Sequence, residues 1–171
     1  MSIILGIDPG TTTVGYAVVK TGAGRPTLED WGAIRTVPKA ELADKLSEIW
    51  ADISALIVQW KPDAAGMERL FFVNNITNGI QVAHARGVCL LALRQAGIPV
   101  MEFTPTQVKK GVSGSGRADK KQVQAALKFL FSLPAAPTPD DAADAAAVAY
   151  LAALGIHRGR SSPICAVAPF L

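Results

Sequence analysis

The chain has 171 residues, 50% of them hydrophobic and 18% charged, with 17 Lys+Arg against 14 Asp+Glu. These figures exclude a disordered, collagenous or low-complexity chain and suit one compact domain, with no room for a second of full size. The small positive excess is local: residues 105–128 carry Lys109, Lys110, Arg117, Lys120, Lys121 and Lys128 against Asp119 alone, ahead of an acidic group at Asp140, Asp141 and Asp144.

In chain order, Ile3 to Asp8 reads as a buried strand, apolar and partly β-branched, closed by the turn pair Pro9-Gly10. Val14 to Lys20 and Thr27 to Arg35 follow as strands joined by a turn at Thr21 to Gly24, which makes an antiparallel meander of the first three. Leu42, Leu46, Ile49, Trp50, Ile53, Leu56, Ile57 and Trp60 form one helical stripe, ended by Pro62. Asp63 to Glu68 reads as a fourth strand, residues 77–96 as a second long helix and Ile98 to Phe103 as a fifth strand, an alternation that argues for parallel pairing. A flexible loop is expected at Gly111 to Gly116, then helices at Asp119 to Phe131 and Pro139 to Leu154. The expected architecture is α/β: a five-stranded mixed sheet, three strands antiparallel and two parallel additions, flanked by helices in the ribonuclease H-like order. Residues 1–154 form this ribonuclease H-like domain in this reading and 155–171 a loosely ordered tail.

No basic region or cleavage site opens the sequence, and no run reaches the ~20 apolar residues of a membrane-spanning helix. Cys89 and Cys165 form no CxxC pair and have no His at metal-ligand spacing, which fits a reducing compartment. A cytoplasmic protein without membrane contact is the expectation. His84 lies mid-helix, and Gly111 to Ala118 lacks the Lys-Ser/Thr of a phosphate-binding P-loop.

The chemistry concentrates in carboxylates. Asp8 and Glu68 each end an apolar strand, so rigid scaffold holds both near one end of the sheet. Singly, turn chemistry explains the first and a solvated rim position the second. Asp141 and Asp144 are three apart and share a helix face with Val148 and Leu151. Thr138 as N-cap, Pro139 as the first helical residue and a favourable helix dipole account for Asp140 and Asp141, but not for Asp144 beyond the first turn. Four carboxylates in one cleft repel one another unless cations neutralise them, and oxygen-only ligands favour Mg²⁺ or Mn²⁺. Two such ions ~3.5–4 Å apart can activate water and stabilise a leaving oxygen in phosphodiester hydrolysis. The cationic segment offers phosphate contacts, the alternative being an ordinary solvated helix face. Phe71-Phe72 after Glu68 cannot both point inward, so one is a candidate for base stacking, with core packing or a subunit contact equally open.

These residues resemble the RuvC family of Holliday junction resolvases over roughly residues 1–154. Gly6 to Val19 looks like its first motif, Gly66 to Phe71 its second, His84 to Val88 the signature of its long helix, and Asp141 to Ala145 its last. The resemblance implies a homodimeric, metal-dependent endonuclease that nicks two strands of like polarity symmetrically across a four-way DNA junction. It implies Asp8, Glu68, Asp141 and Asp144 as ligands of two Mg²⁺ ions, with Mn²⁺ as a substitute. It implies DNA contacts at Phe71, Lys109 and Lys120 and a dimer interface on the second long helix, including Ala83 to Leu91; the cationic segment and the aromatic pair add Lys110, Arg117 and Lys121, with Phe72 as the alternative stacking residue. A RuvAB branch-migration complex is an implied partner. Two other readings stay open: a catalytically silent junction-binding module, and a nucleotide-binding relative of actin-like ATPases, whose first phosphate loop Ile7 to Thr12 resembles.

Overall fold

A computed structural model describes residues 1–69 and 76–157 of the chain. Five strands, β1 (Ser2–Asp8), β2 (Thr13–Thr21), β3 (Thr27–Arg35), β4 (Ala64–Glu68) and β5 (Val100–Phe103), form one sheet in the order β3-β2-β1-β4-β5. β1 pairs antiparallel with β2 and β2 with β3, whereas β4 runs parallel to β1 and β5 parallel to β4. This is the expected ribonuclease H-like order. The helices are α1 (Leu42–Trp60), α2 (Ile76–Gln95), α3 (Pro105–Ser113), α4 (Lys120–Leu130) and α5 (Asp140–His157). No helix among the described residues is long and apolar enough to cross a membrane.

Strand alternation sorts the core into two layers. Leu5, Ile7, Val14, Val18, Ala65 and Met67 point to one face, where Ile49, Ile53 and Ile57 of α1 and Ala85, Cys89 and Leu93 of α2 cover them. Ile4, Ala17, Val19 and Ala64 point to the other, against α5, with Val108 and Val112 of α3 and Val123 and Leu127 of α4 packed around it. Asp8 and Glu68 fall in the second register, so the alternation that buries Ile7 and Met67 beneath α1 and α2 sends both carboxylates toward α5.

α5 is apolar nearly all round, as a helix inside a domain must be. Ala142, Ala143, Ala145, Ala146, Ala147, Ala149, Ala152 and Ala153 are all buried. Small residues on both sides let this helix lie unusually close to the sheet. A Cβ on Gly6 of β1 would sit 2.1 Å from the Ala145 carbonyl oxygen, one on Gly15 of β2 2.0 Å from that of Asp141, and one on Gly66 of β4 2.6 Å from that of Val148. Three adjacent strands thus each give up a side chain along the path of α5.

Two elements differ from expectation. Residues 105–113 form α3, which takes in the start of the expected loop. Its signal is Thr104-Pro105-Thr106-Gln107: the Thr104 hydroxyl accepts from the Gln107 amide, the Gln107 side chain accepts from the Thr104 amide, and Pro105 occupies the first turn. α5 begins at Asp140 rather than with Thr138 as cap. The Pro139 carbonyl accepts from the amides of Ala142 and Ala143 at 3.0 and 3.2 Å, and the helix runs on through Gly155.

Candidate active site

The four carboxylates gather at one end of the sheet. Asp8 closes β1 and lies opposite Gly15 in the register; Gly15 in turn abuts the Asp141 backbone. Glu68 closes β4, which is parallel to β1 and adjacent to it. Asp144 stands one turn beyond Asp141 on α5. The loop after Asp8 is fixed from two sides: the Thr36 hydroxyl donates to the Thr11 carbonyl at 2.8 Å, and the Thr11 hydroxyl donates to the Gln81 side-chain oxygen of α2 at 3.3 Å.

Their electrostatics show mutual proximity. Burial pushes the Asp8 carboxyl up to about 7, and Asp144, Asp141 and Glu68 push it in the same direction, with Lys120 opposing. Glu68 is raised by burial and by Asp144, and Lys109 partly offsets this. Asp144 is raised by burial; Lys120 pulls it down, and Asp140 and Asp141 push it up. Below about pH 7 the Asp8 carboxyl therefore keeps its proton unless a cation offsets its surroundings.

Lys120, the first residue of α4, supplies part of that charge. Its Nζ lies 3.1 Å from Asp140 and 3.6 Å from Asp144. Burial lowers its proton affinity, but the hydrogen bond to Asp140 and the field of Asp144 outweigh this and raise it. Asp140 also accepts from Gln124 at 2.9 Å, and the Lys120 contact holds its carboxyl below the usual range. Asp140 therefore faces α4 as an exposed partner of Lys120, apart from the half-buried carboxylates. Its position relative to α4 could not be read from the sequence, where it is merely one acid beside another.

Among the expected cationic residues, the structure brings Lys109 to Glu68 and Lys120 to Asp144 and Asp8. Lys110, Arg117 and Lys121 are exposed and make no ion pair among the described residues. Phe71 and Phe72 lie outside the described residues. The glycines Gly6, Gly15 and Gly66 are the positions that residue-by-residue reading of chemistry passes over, since their part is to leave room.

The donor set is suited to a hard divalent cation: anionic oxygens from rigid strand ends and one helix, partly withdrawn from water, with no sulfur or imidazole. Among the described residues no three His, Cys, Asp or Glu side chains already converge as a coordination shell.

The model of one protein family, Crossover junction endodeoxyribonuclease RuvC, matches residues 4–151. The chain belongs to the RuvC family. It is 46% identical over 147 residues to the RuvC of Ruminiclostridium cellulolyticum, covering 86% of this chain and 89% of that one. It is also 46% identical over 155 residues to the RuvC of Alkaliphilus metalliredigens, covering 91% and 94%. A solved structure of Thermus thermophilus RuvC in complex with a Holliday junction substrate superposes with a TM-score of 0.88 at 31% identity, covering 96% of this chain and all of that one. As a RuvC family member the chain is a crossover junction endodeoxyribonuclease, a nuclease of DNA recombination and repair.

Proposed function

We propose that Asp8, Glu68, Asp141 and Asp144 hold two Mg²⁺ ions, with Mn²⁺ able to substitute, and that a homodimer of the chain uses two such sites to nick opposed strands of a four-way DNA junction symmetrically. The observation that carries this reading is the convergence of three carboxylates, Asp144, Asp141 and Glu68, on Asp8, whose proton affinity is raised by burial and by their proximity. Bound cations would supply Lewis-acid stabilisation of the charge that develops at the scissile phosphate and the departing oxygen.

The chain's own residues account for the rest. Asp8 and Glu68 are fixed by strand ends and Asp141 and Asp144 by α5, so ligands on three elements are aligned before DNA arrives. Lys109 and Lys120 stand near these carboxylates, where Lys120 can exchange a carboxylate partner for a phosphate oxygen of the strand to be cut and Lys109, which forms no ion pair among the described residues, can take another. Lys110, Arg117 and Lys121 extend the cationic surface outward, and Phe71 or Phe72 stacks on a base at the crossover. Exposed Ile80 and Leu91 of α2 lie eleven residues apart, almost in line on one helix face, and support pairing of two chains through that helix. Residues 1–154 form the nuclease unit and 155–171 an appended tail. Action on chromosomal junctions places the protein in the cytoplasm, with a RuvAB motor supplying the junction.

The deciding experiment compares a synthetic mobile four-way junction with its linear duplex, each in EDTA, Mg²⁺ or Mn²⁺, and maps nicks on all four strands. Paired nicks at symmetric positions, confined to the junction with metal, are expected. Junction binding without nicks under any metal would replace this reading with that of a silent binding module.

A further inference from the structure

A basic strip runs away from the carboxylates along α4. Val123, Leu127 and Phe131 turn its inner face into the core, which leaves Lys121, Ala125, Lys128 and Ser132 in line on the outside, with Phe129 beside them and 72% exposed. Lys121 and Lys128 are separated by about 10 Å along the axis, close to three nucleotide rises on one DNA strand. At its far end the strip opens into a groove of about 390 Å³, lined by Ala125, Lys128, Phe129, Ser132 and Leu133 of the α4 end and by Arg25 from the turn between β2 and β3. Neither Arg25 nor Lys128 forms an ion pair among the described residues. Ser132 adopts a left-handed conformation (φ 55°), and its amide donates to the Phe129 carbonyl at 3.2 Å; together these close the helix sharply behind the exposed ring.

The location bears on the ligand. β2 leaves the carboxylates at Gly15 and reaches Thr21 at the opposite end of the sheet, so Arg25 lies about 20 Å from Asp8 along the strand direction. Lys120, which begins the same helix, pairs with Asp144. The groove is therefore the end of a continuous cationic path that starts at the candidate cleavage site. Unpaired cations about three nucleotide rises apart, with a small residue between them and an apolar ring at the side, match a DNA backbone: phosphates against Lys121, Lys128 and Arg25, and deoxyribose against Phe129.

We propose that this groove is a second phosphate-tracking subsite, which holds one arm of the junction about six base pairs from the cut and fixes the angle at which that arm leaves the enzyme. The inference rests on the junction-nicking reading above but concerns residues outside the carboxylate site.

The test uses neutral methylphosphonate patches of three linkages, moved stepwise along each arm of a four-way junction, with binding by the full chain measured in EDTA across a salt series. A patch centred near the sixth to eighth linkage should weaken binding by the native chain about tenfold and reduce its log–log salt slope by about 2, the effect of two lost phosphate contacts. The double variant Arg25→Ala/Lys128→Ala should bind the unmodified junction with that same reduced slope and be indifferent to the patch. Phe129→Ser should weaken binding a few-fold and leave the slope unchanged. If the native chain senses no distal patch, or the double variant senses it as the native chain does, the subsite is refuted and the groove is left to another class of partner, such as an acidic peptide. Failure of the native chain to bind or nick the unmodified junction would instead defeat the junction-nicking reading itself.

Discussion

Asp8 illustrates what the carboxylate cluster costs a chain without metal. Its folded-state proton affinity is raised from 3.8 to about 7. Between those two values the unfolded chain ionises while the folded one keeps its proton, so the native state binds more protons and stability falls as pH rises through that window. Glu68 and Asp144 are shifted in the same direction and reinforce the slope. Thermal unfolding in EDTA should therefore show a melting temperature that declines from pH 4 to pH 8. Asp8→Asn should flatten that decline and, at pH 8, gain at least ~1 kcal/mol, or ~3 °C. Added Mg²⁺ should reverse the order, because a cation stabilises the native carboxylates and finds fewer ligands in the variant. Nicking should be lost in Asp8→Asn while junction binding persists. A variant that melts no higher than the native chain in EDTA at pH 8 would show that ionising Asp8, against its burial and the neighbouring carboxylates, costs the fold nothing.

At the scale of the element, the approach of α5 to the sheet decides whether those residues meet at all. Gly15→Ala would place a methyl 2.0 Å from one backbone oxygen of α5, an overlap that no rotamer change relieves. The first turn of the helix must move, at a cost of about 1–3 kcal/mol, and it carries Asp141. Because a displacement of ~1 Å at a catalytic group can cost ~100-fold in rate, Gly15→Ala should lower nicking by at least that factor while junction affinity changes little. Gly24→Ala, where an added methyl meets nothing within 4 Å, is the matched control and should leave both unchanged. The strands, α1, α2 and the order of the sheet were legible because apolar periodicity sets them, and Asp8, Glu68, Asp141 and Asp144 because they end or interrupt that periodicity. α3 was hidden by Gly111, which reads as a loop residue but lies in a helix where an added Cβ would meet the Leu151 side chain at 2.9 Å. The pairing of Lys120 with Asp140 and the groove beside Phe129 depend on how α4 docks between α5 and the β2–β3 turn. Docking of that kind brings together residues far apart in sequence, and periodicity within one helix does not encode it.

For the whole molecule, paired cutting requires two sites held in fixed relation. A C2 dimer presents identical sites to two strands related by the symmetry of a four-way junction, a match that a linear duplex does not offer. Ile80 and Leu91 are 49% and 52% exposed on α2, whose inner face packs on the sheet through Ala85, Cys89 and Leu93. Placing a charge at both, Ile80→Asp with Leu91→Asp, adds two desolvation penalties per chain to any interface formed there and leaves the inner face intact. If the chain pairs through this face as proposed, the variant should sediment as a monomer at concentrations where the native chain sediments as a dimer, and it should melt as a folded protein. On a junction it should produce isolated single nicks in place of paired ones, because the second cut no longer follows from the position of the first. A variant that remains dimeric would move the interface off this face of α2, and one that is monomeric yet still cuts in pairs would show that the junction itself, rather than the dimer, sets the symmetry of cleavage.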